Sequence, residues 1–358
     1  MPTEDRYAIA PGPIDWQVEQ DFGTNFRWEY QDGRESLLKL YQKGKDRQWD
    51  ATTRIDWSQD LDPENPEQLP DESIPIFGSA PFERLTAAEK ARLRRHFQSW
   101  QLSQFLHGEQ GALICTAKIV QQVPSMDAKF YAATQVIDEA RHVEAYSRLL
   151  HDKFELAYPI TPTLKRLLDD VLSDSRWDMT YLGMQVLIEG LALAAFAQIR
   201  DQSQNPLAAS VNAYVMQDEA RHVAFGRFAL RDYYPQLTQA ERGRARGVRR
   251  RGLLPHAGPL SGGRGVGSAG TSRRRVRRVH ARVGLHAALP FRALQPDRAR
   301  HQGHRSLGTK IRAGYEKMGI LGFASVDAQA MSQEDERVAE EFDARHAEIL
   351  KVAAVGAA

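Results

Sequence analysis

The sequence predicts an all-α protein built around a four-helix bundle, and three observations indicate this fold. The pentapeptide Asp-Glu-Ala-Arg-His occurs twice, at residues 138–142 and 218–222. In each copy the glutamate follows a lone glutamate, Glu109 or Glu189, by the same long interval. Turn or breaker sequences, Val-Pro-Ser-Met-Asp and Asp-Gln-Ser-Gln-Asn-Pro, lie halfway across the two intervals. A helix rises about 1.5 Å per residue, so the two glutamates of each half can meet only if the chain turns back midway between them. Each half is therefore predicted to be a helical hairpin.

Each hairpin brings its lone carboxylate level with a Glu-x-x-His pair. The i, i+3 spacing within the pair places both side chains on one helical face. Four carboxylates and two imidazoles would therefore meet in an apolar core, where the negative charges repel one another and lose hydration at a cost of several kcal/mol each. Two divalent cations cancel those charges, so the sequence predicts a two-metal site. The six predicted ligands are Glu109, Glu139 and His142 for one ion and Glu189, Glu219 and His222 for the other, and at least one glutamate of a Glu-x-x-His pair is expected to bridge the two ions.

The repeat extends beyond the ligands, because the offset between the two pentapeptides also superposes apolar positions of the two halves. This self-similarity indicates pseudo-twofold symmetry around the site. Asp138 and Asp218 are predicted to accept from the ring N–H of the ligating histidines, which would fix the tautomer of each ring. Arg141 and Arg221 are predicted to balance the two aspartates.

These motifs resemble those of the ferritin-like non-haem di-iron carboxylate oxygenases and oxidases. That superfamily includes the hydroxylase subunits of bacterial multicomponent monooxygenases and the small subunit of class I ribonucleotide reductase. The resemblance covers about residues 86–235. It implies a ferritin-like bundle, two Fe ions with Mn/Fe as the alternative, O2 and a small organic substrate as reactants, and an electron-donor protein as partner.

Two groups within the superfamily match less well. Acyl-carrier-protein desaturases usually have Glu-Glu-Asn-Arg-His as the first copy of the motif. Arylamine N-oxygenases have a third histidine one turn before the second Glu-x-x-His, where this chain has Val215. Both departures argue against those two groups.

Tyr146 keeps an alternative function open. It follows His142 by one helical turn, in the position where the reductase small subunit holds its radical, whereas the second repeat has Gly226 there. The preferred function is an O2-activating oxygenase or oxidase, with Tyr146 as a candidate catalytic residue. The alternatives are a radical-generating subunit, in which the first ligand is usually an aspartate instead of Glu109, and a ferroxidase or iron store.

Composition is that of a cytoplasmic globular enzyme. The chain has 358 residues, of which 42% are hydrophobic, and its single cysteine, Cys115, excludes both a disulfide framework and a Cys-x-x-Cys iron centre. Residues 1–21 carry no charged-then-apolar leader, and no long uninterrupted apolar run occurs. We therefore expect no membrane span. A homodimer is the expected assembly.

The elements follow in chain order. Residues 1–85 are predicted to form an N-terminal arm with one short helix at about 35–49, and residues 86–235 to form the bundle. Thr86-Ala-Ala-Glu89 is a capping box that opens the first long helix. The expected anchors of the arm on the bundle are Trp49, Trp57, Phe77 and Phe82. Further helices are predicted at about 86–122, 128–153, 163–172, 176–200 and 207–233.

Residues 242–306 have a different composition. They contain 17 arginines and one acidic residue, Asp297, and lack Lys, Glu, Ile, Asn, Tyr, Met, Trp and Cys. A GC-rich gene read in the wrong frame yields this composition, so we predict a frameshifted and disordered segment instead of a nucleic-acid-binding arm. Without these charges the formal net charge of +2 becomes −14, which argues against a nucleic-acid partner.

Residues 307–358 are predicted to be a C-terminal helical segment. Within it, residues 334–352 form an amphipathic pattern that contains a third, degenerate copy of the motif, with Asp343 in place of the glutamate and His346 as the histidine. Ala313 stands where the lone glutamate of this copy would be, so the upstream carboxylate is missing. We expect a surface helix without a metal ligand.

Overall fold

The computed structural model describes residues 7–10, 16–20, 22–31, 33–233 and 328–356. Its regular structure is helical, and one isolated parallel β-bridge joins Tyr7 to Ala157 within these residues. The helices are α1 (Glu35–Asp46), α2 (Ala51–Arg54), α3 (Ala80–Glu83), α4 (Ala87–Gln122), α5 (Met126–Arg148), α6 (Pro162–Ser173), α7 (Trp177–Tyr181), α8 (Glu189–Gln202), α9 (Pro206–Tyr233) and α10 (Ala328–Gly356). Asp71–Ser73 forms a 3-10 turn, and the stretches Leu149–Phe154 and Leu182–Ile188 are π-helical.

Helices α4 and α5 form the first predicted hairpin. The Thr86 hydroxyl accepts from the backbone N–H of Glu89, and the Glu89 carboxylate accepts from the backbone N–H of Thr86, so the predicted capping box begins α4. The helix ends at Gln122, because Val123 precedes Pro124 and takes the extended conformation that a following proline favours. The chain then turns back, and α5 packs along α4.

The second hairpin consists of α9 and the continuous helical stretch Trp177–Gln202, which contains α7, π-helical turns and α8. The π-helical turns end directly before Glu189, and such turns are frequent at functional sites. Asn205 accepts from the N–H of Ala208 and Pro206 begins α9, so the turn ends with a strong helix start. Trp177–Gln202 is also long and apolar enough, by composition alone, to cross a membrane. A core helix of a bundle meets the same criterion, and this one carries the buried carboxylate of Glu189.

The four long helices enclose two apolar clusters. One contains Leu102, Tyr146, Phe196 and Val211, and the other contains Ile119, Tyr131, Tyr181 and Phe225. On α4, α5 and α9 the predicted ligands lie in sequence between the residues of these clusters. The candidate site is therefore in the middle of the bundle.

The arm wraps the bundle, with α2 and α3 as short helices in addition to the predicted α1. Trp57 and Phe82 are buried anchors, as expected. Phe77 is 42% exposed, so the prediction that it anchors the arm was wrong. Its ring packs edge-on against Phe82 at a centroid distance of 5.4 Å and leaves its other side on the surface.

The C-terminal helix α10 packs on α9, with Ala339 fully buried and Asp335 nearly so. The expectation of a plain surface helix was therefore wrong for one of its faces. Asp343 accepts hydrogen bonds from Arg54 and Tyr214, so the degenerate motif attaches α10 to the arm and to α9. The arginine-rich segment, residues 242–306, lies outside the described residues.

Candidate metal centre

The structure brings all six predicted ligands together at the middle of the bundle, where none is more than 5% exposed. Two groups of potential metal-binding atoms occur there, and within each group the atoms lie within 4.8 Å of one another. The first group contains Glu109, Glu139, His142 and Glu219, and the second contains Glu139, Glu189 and His222. Glu139 belongs to both groups.

The position of Glu219 differs from the prediction, which placed it with Glu189 and His222. Its Oε1 atom lies 3.1 Å from Nδ1 of His142 and 3.4 Å from Nδ1 of His222. The carboxylate therefore lies between the two imidazoles. This position is possible because α9 packs against α5 of the first hairpin as well as against α8, its partner in the second.

Several of these atoms have no hydrogen-bond partner among the described residues. They are Oε2 of Glu139, Oε2 of Glu189, both carboxylate oxygens of Glu219 and Nδ1 of His222. A buried polar atom without a partner costs roughly 1–3 kcal/mol, and native proteins contain few of them. Cations bound between these atoms would use their lone pairs. The cluster is therefore suited to a dinuclear metal site.

The Nδ1 atoms of both histidines face the carboxylates. Nδ1 of His142 lies 3.2 Å from Oε2 of Glu109, and Nδ1 of His222 lies 3.2 Å from Oε1 of Glu139. On the opposite side of each ring, Nε2 faces an aspartate. The distances are 3.1 Å from His142 to Asp218 and 3.2 Å from His222 to Asp138. An aspartate at Nε2 holds the ring proton there and leaves the Nδ1 lone pair free for a metal.

Each aspartate thus serves the histidine of the other hairpin, which connects the two halves. The two arginines strengthen this connection. Arg141 donates to Asp138 at 2.5 Å and to Asp218 at 2.9 Å. Arg221, which is fully buried, donates to Asp218 and lies 3.5 Å from Asp138. The four residues form a buried, crossed set of ion pairs beneath the histidines.

The electrostatics of the cluster reflect its concentration of carboxylates. Burial, together with the nearby Glu219, raises the pKa of Glu109 to about 8. Burial and the charges of Glu219 and Glu139 raise the pKa of Glu189 well above its ordinary value. Burial alone would lower the pKa of His142, but its carboxylate partners outweigh burial and raise that pKa. Without metal, protons therefore take the place of the cations.

Sequence reasoning missed three residues that contact the site. Gln135 donates to Oε1 of Glu139 at 2.9 Å and to Oε1 of Glu189 at 3.1 Å. It lies one turn before Glu139 on the ligand-bearing face, and that spacing was the available signal. Gln48 and Trp49 of the arm donate to Asp138 and Asp218, each at 2.8 Å. No local pattern in the sequence could have found these two contacts.

Tyr146 is fully buried and belongs to neither group of candidate ligands. Its hydroxyl donates to Oδ1 of Asn212 at 3.0 Å. The centroid of its ring lies 5.9 Å from the ring centroid of Phe105 and 5.8 Å from that of Phe196. Burial, followed by the charges of nearby glutamates, raises the pKa of its hydroxyl well above the ordinary value. The tyrosine is therefore neutral, and it lies one turn from the site, as its spacing predicts.

A family model described as P-aminobenzoate N-oxygenase AurF matches residues 30–249, which is more than half of the chain. The chain belongs to this family. Its bundle is accordingly of the ferritin-like type, as the sequence predicted. The interpretation that Val215 argues against the arylamine N-oxygenases was wrong at the level of the family. Val215 is fully buried against the apolar cluster that contains Tyr146, so an apolar side chain occupies this position.

Other comparisons give weaker similarities. An R2-like ligand-binding oxidase from Sulfolobus acidocaldarius is 17% identical, with a TM-score of 0.43, covering 73% of this chain and 90% of the other. An R2-like ligand-binding oxidase with an aerobically reconstituted Mn/Fe cofactor is 14% identical, with a TM-score of 0.42, covering 89% of this chain and 97% of the other. No curated protein sequence matches the chain.

Proposed function

We propose that this protein is an O2-activating di-iron oxidoreductase that oxygenates or oxidises a small organic substrate. The observation that carries the proposal is the buried set of four carboxylates and two histidines, several of whose atoms have no hydrogen-bond partner within the described ranges of the chain. Membership of the N-oxygenase family supports it. The description of that family names p-aminobenzoate, so an aromatic amine is the first substrate class to test.

The ligand roles are part of the proposal. Glu109, His142 and Glu219 would hold one iron ion and Glu189 and His222 would hold the other. Glu139, which belongs to both groups of atoms, would be a ligand that the two ions share. Iron bound here supplies electrons for the reduction of O2. Oxygen and nitrogen ligands suit manganese as well, so an Mn/Fe pair is the alternative.

The residues around the ligands have distinct roles in this proposal. Asp138 and Asp218 keep the protons of His222 and His142 on Nε2, which directs both Nδ1 atoms to the metals. Arg141 and Arg221 balance the negative charges of those aspartates. The charges of Arg221 and Arg141 outweigh burial and hold the pKa of Asp218 well below its ordinary value. This arrangement keeps both rings in one orientation.

The proposed setting is that of a cytoplasmic homodimer that receives electrons from a donor protein and has neither a nucleic-acid nor a membrane partner. We also propose that residues 242–306 are frameshifted. The family match supports this because it ends at residue 249, shortly after the arginine-rich segment begins. Resequencing the coding DNA tests the frameshift. One continuous frame with no helical alternative in the other frames would exclude it.

Metal analysis and O2 consumption test the function itself. The full chain is reconstituted with Fe(II) without air and then exposed to O2 with a chemical reductant and p-aminobenzoate. We expect two metal ions per chain and O2 consumption in proportion to an oxidised amine. Glu139→Ala should lose both the bound metal and the O2 consumption. Glu144 is an exposed glutamate on the same helix, and Glu144→Ala should retain both.

Other outcomes would point elsewhere. A tyrosyl radical that Tyr146→Phe abolishes, without an organic product, would favour the radical-generating subunit. Fe(II) oxidation with no organic product and no radical would favour a ferroxidase. A protein that binds no metal, and whose Glu139→Ala variant is more stable than the wild type, would exclude the metal centre altogether.

A further inference from the structure

Two helices of the bundle carry the same three residues at successive turns, and each series ends at a candidate metal ligand. The two series are Tyr131, Gln135 and Glu139 on α5, and Tyr181, Gln185 and Glu189 on the helical stretch Trp177–Gln202. Residues four positions apart lie on one face of a helix, so each series follows one face from its tyrosine to the metal centre. All six residues are buried. Both helices therefore carry a glutamine and a tyrosine beyond the ligand.

The two series face each other across the interior of the bundle. Helix α5 packs against α4 and α9, and the π-helical stretch Leu182–Ile188, which contains Gln185, packs against the same two helices. Nε2 of Gln135 donates to Oε1 of Glu139 on its own helix at 2.9 Å and to Oε1 of Glu189 on the other at 3.1 Å. These two hydrogen bonds join the series at the metal centre.

Both glutamines present an unused acceptor. The carboxylates of Glu139 and Glu189 accept, so the amide nitrogen of Gln135 faces them and its Oε1 is turned away. Nε2 of Gln185 lies 3.5 Å from Oγ1 of Thr116 on α4. Among the residues that the structure describes, Oε1 of Gln135 and Oε1 of Gln185 have no hydrogen-bond partner. A carbonyl oxygen can only accept, so a ligand that satisfies these two atoms must bring N–H or O–H groups.

One turn further from the metal centre, the two tyrosines meet at Phe225 of α9. The ring centroid of Phe225 lies 4.2 Å from that of Tyr131 and 5.0 Å from that of Tyr181. Within the described ranges, neither tyrosine hydroxyl has a hydrogen-bond partner. A phenolic hydroxyl can donate, whereas the glutamine oxygens can only accept. The interior therefore has two unused acceptors beside the ligands and two unused donors one turn away, although native proteins leave few buried polar groups unpaired.

Helix α9 connects the glutamine layer to the tyrosine layer. A Cβ atom on Gly226 would lie 2.7 Å from Cβ of Gln185, so the absence of a side chain at Gly226 lets Gln185 approach α9 closely. Gly226 directly follows Phe225, which packs against both tyrosines. The unused polar atoms of the two layers therefore border one continuous part of the interior, beside the ring of Phe225.

We propose that the interior between these two series binds the substrate, and that the substrate is a small aromatic amine with an acceptor oxygen para to the amine, as in p-aminobenzoate. The proposal rests on the proposed function. The amine donates to Oε1 of Gln135 and Gln185, on the side of the metals, and the acceptor oxygens receive the hydroxyl protons of Tyr131 and Tyr181. The layers are one helical turn, about 5.4 Å, apart, which suits para substituents on one benzene ring. The ring packs against Phe225.

Equilibrium binding of three ligands tests the two layers separately. The full chain is reconstituted with Fe(II) and kept without air, so that no turnover occurs. Tyr131→Phe and Tyr181→Phe should each weaken the binding of p-aminobenzoate by about tenfold, the order of one lost hydrogen bond. Neither variant should change the binding of aniline, which lacks the carboxylate. Gln185→Leu should weaken p-aminobenzoate and aniline alike, and leave benzoate, which lacks the amine, unchanged.

A third tyrosine provides the matched control. The hydroxyl of the buried Tyr158 lies 2.7 Å from Nδ1 of His96, on the other side of the metal centre along α4. Tyr158→Phe should retain the wild-type affinity for all three ligands. Tyr131→Phe and Tyr181→Phe remove only hydroxyls without a partner in the described ranges, so both should fold and take up as much metal as the wild type.

The outcomes separate this proposal from the proposed function. Losses confined to the ligand that carries the matching group support the site. Wild-type affinities in all three site variants, while the wild type binds p-aminobenzoate and consumes O2, overturn the site and leave the proposed function intact. Equal losses for p-aminobenzoate and aniline in the tyrosine variants overturn the proposed orientation of the substrate. The predicted losses in a protein that consumes no O2 support the ligand site and overturn the proposed function.

Discussion

The two hairpins carry the same ligands at equivalent positions, yet they differ one turn to either side of the Glu-x-x-His pair. Before the pair, the first hairpin has Gln135, which donates to two carboxylates, and the second has Val215. After the pair, the first has Tyr146 and the second has Gly226. A Cβ atom on Gly226 would lie 2.7 Å from Cβ of Gln185, so no tyrosine fits there. The repeated positions carry the candidate ligands and the charged residues beside them. The positions that differ make the first hairpin's side of the site polar and the second hairpin's side apolar.

The crossed ion pairs show why the halves depend on each other. Each aspartate faces the histidine of the opposite hairpin, and Arg141 donates to both aspartates. A single hairpin would leave a buried arginine or aspartate without its full complement of partners, which is strongly destabilising. The ion pairs that the repeated aspartates and arginines form therefore require both hairpins.

The largest expected effect comes from breaking the shared ligand. Glu139 belongs to both groups of candidate ligands and Glu189 to one. We expect Glu139→Ala to lose both metal ions and Glu189→Ala to lose one. Metal content after Fe(II) reconstitution and desalting measures the difference. Equal losses in the two variants would contradict the assignment of Glu139 as the bridge.

The next effect separates the two aspartates. Asp218 is 0% exposed and accepts from Trp49, Arg141 and the fully buried Arg221, whereas Arg221 lies 3.5 Å from Asp138. Asp218→Asn should reduce the free energy of unfolding by about 3–5 kcal/mol, because it leaves Arg221 without its main counter-charge. Asp138→Asn should reduce the free energy of unfolding by less. Each should weaken metal binding by about 10- to 100-fold.

Urea unfolding of the metal-free protein and competition with a chelator measure these two quantities. Asp169→Asn, on α6 and away from the site, serves as the control because its carboxylate pairs with the partly exposed Lys165. An equal loss of stability in Asp138→Asn and Asp218→Asn would mean that the ion pairs are more symmetric than the distances indicate.

The raised pKa of Glu109 predicts how metal binding depends on pH. Burial and Glu219 raise the pKa of Glu109 to about 8, so its carboxyl is protonated at pH 7 and must lose a proton when a cation binds. Affinity should therefore rise with pH up to about 8 and fall by about tenfold per pH unit below it for each proton released. Titration calorimetry with Mn(II), in buffers of different ionisation enthalpy, counts these protons. Glu109→Gln should release about one fewer, and an unchanged count would refute the assignment.

The sequence predicted the long helices of the bundle and the six converging residues because both depend on local chemistry. Breaker sequences set the turns, the Thr86–Glu89 capping box set one helix start, and repeated spacing set the ligand-bearing faces. The position of Glu219 between two histidines depends on how α9 crosses the bundle, which spacing does not encode. The contacts of Gln48 and Trp49 join the arm to residues far along the chain. The exposure of Phe77 depends on where the arm leaves the surface.

Gln135 provides a smaller test of the asymmetry. Gln135→Val gives the first hairpin the residue of the second and removes the donor from Glu139 and Glu189. We expect a loss of about 1–3 kcal/mol in metal-free stability, together with weaker metal binding. Thr134→Val, which removes the hydrogen bond from the Thr134 hydroxyl to the carbonyl of Tyr131, should destabilise the protein by about 1 kcal/mol and leave metal affinity unchanged. Equal effects of both variants on metal affinity would exclude a special role for Gln135.

The smallest expected effect concerns two buried tyrosines of α5 that differ in their partners. The Tyr146 hydroxyl donates to Asn212, whereas the Tyr131 hydroxyl has no hydrogen-bond partner in the part of the chain that the structure describes. Tyr146→Phe leaves the Asn212 oxygen unpaired and should cost about 1 kcal/mol of unfolding free energy. Tyr131→Phe should be neutral or stabilising, because it removes a buried polar atom that lacks a hydrogen bond. Thermal unfolding of both metal-free variants measures the difference. If Tyr131→Phe were the more destabilising, the Tyr131 hydroxyl would have to make a stronger hydrogen bond than the one from Tyr146 to Asn212.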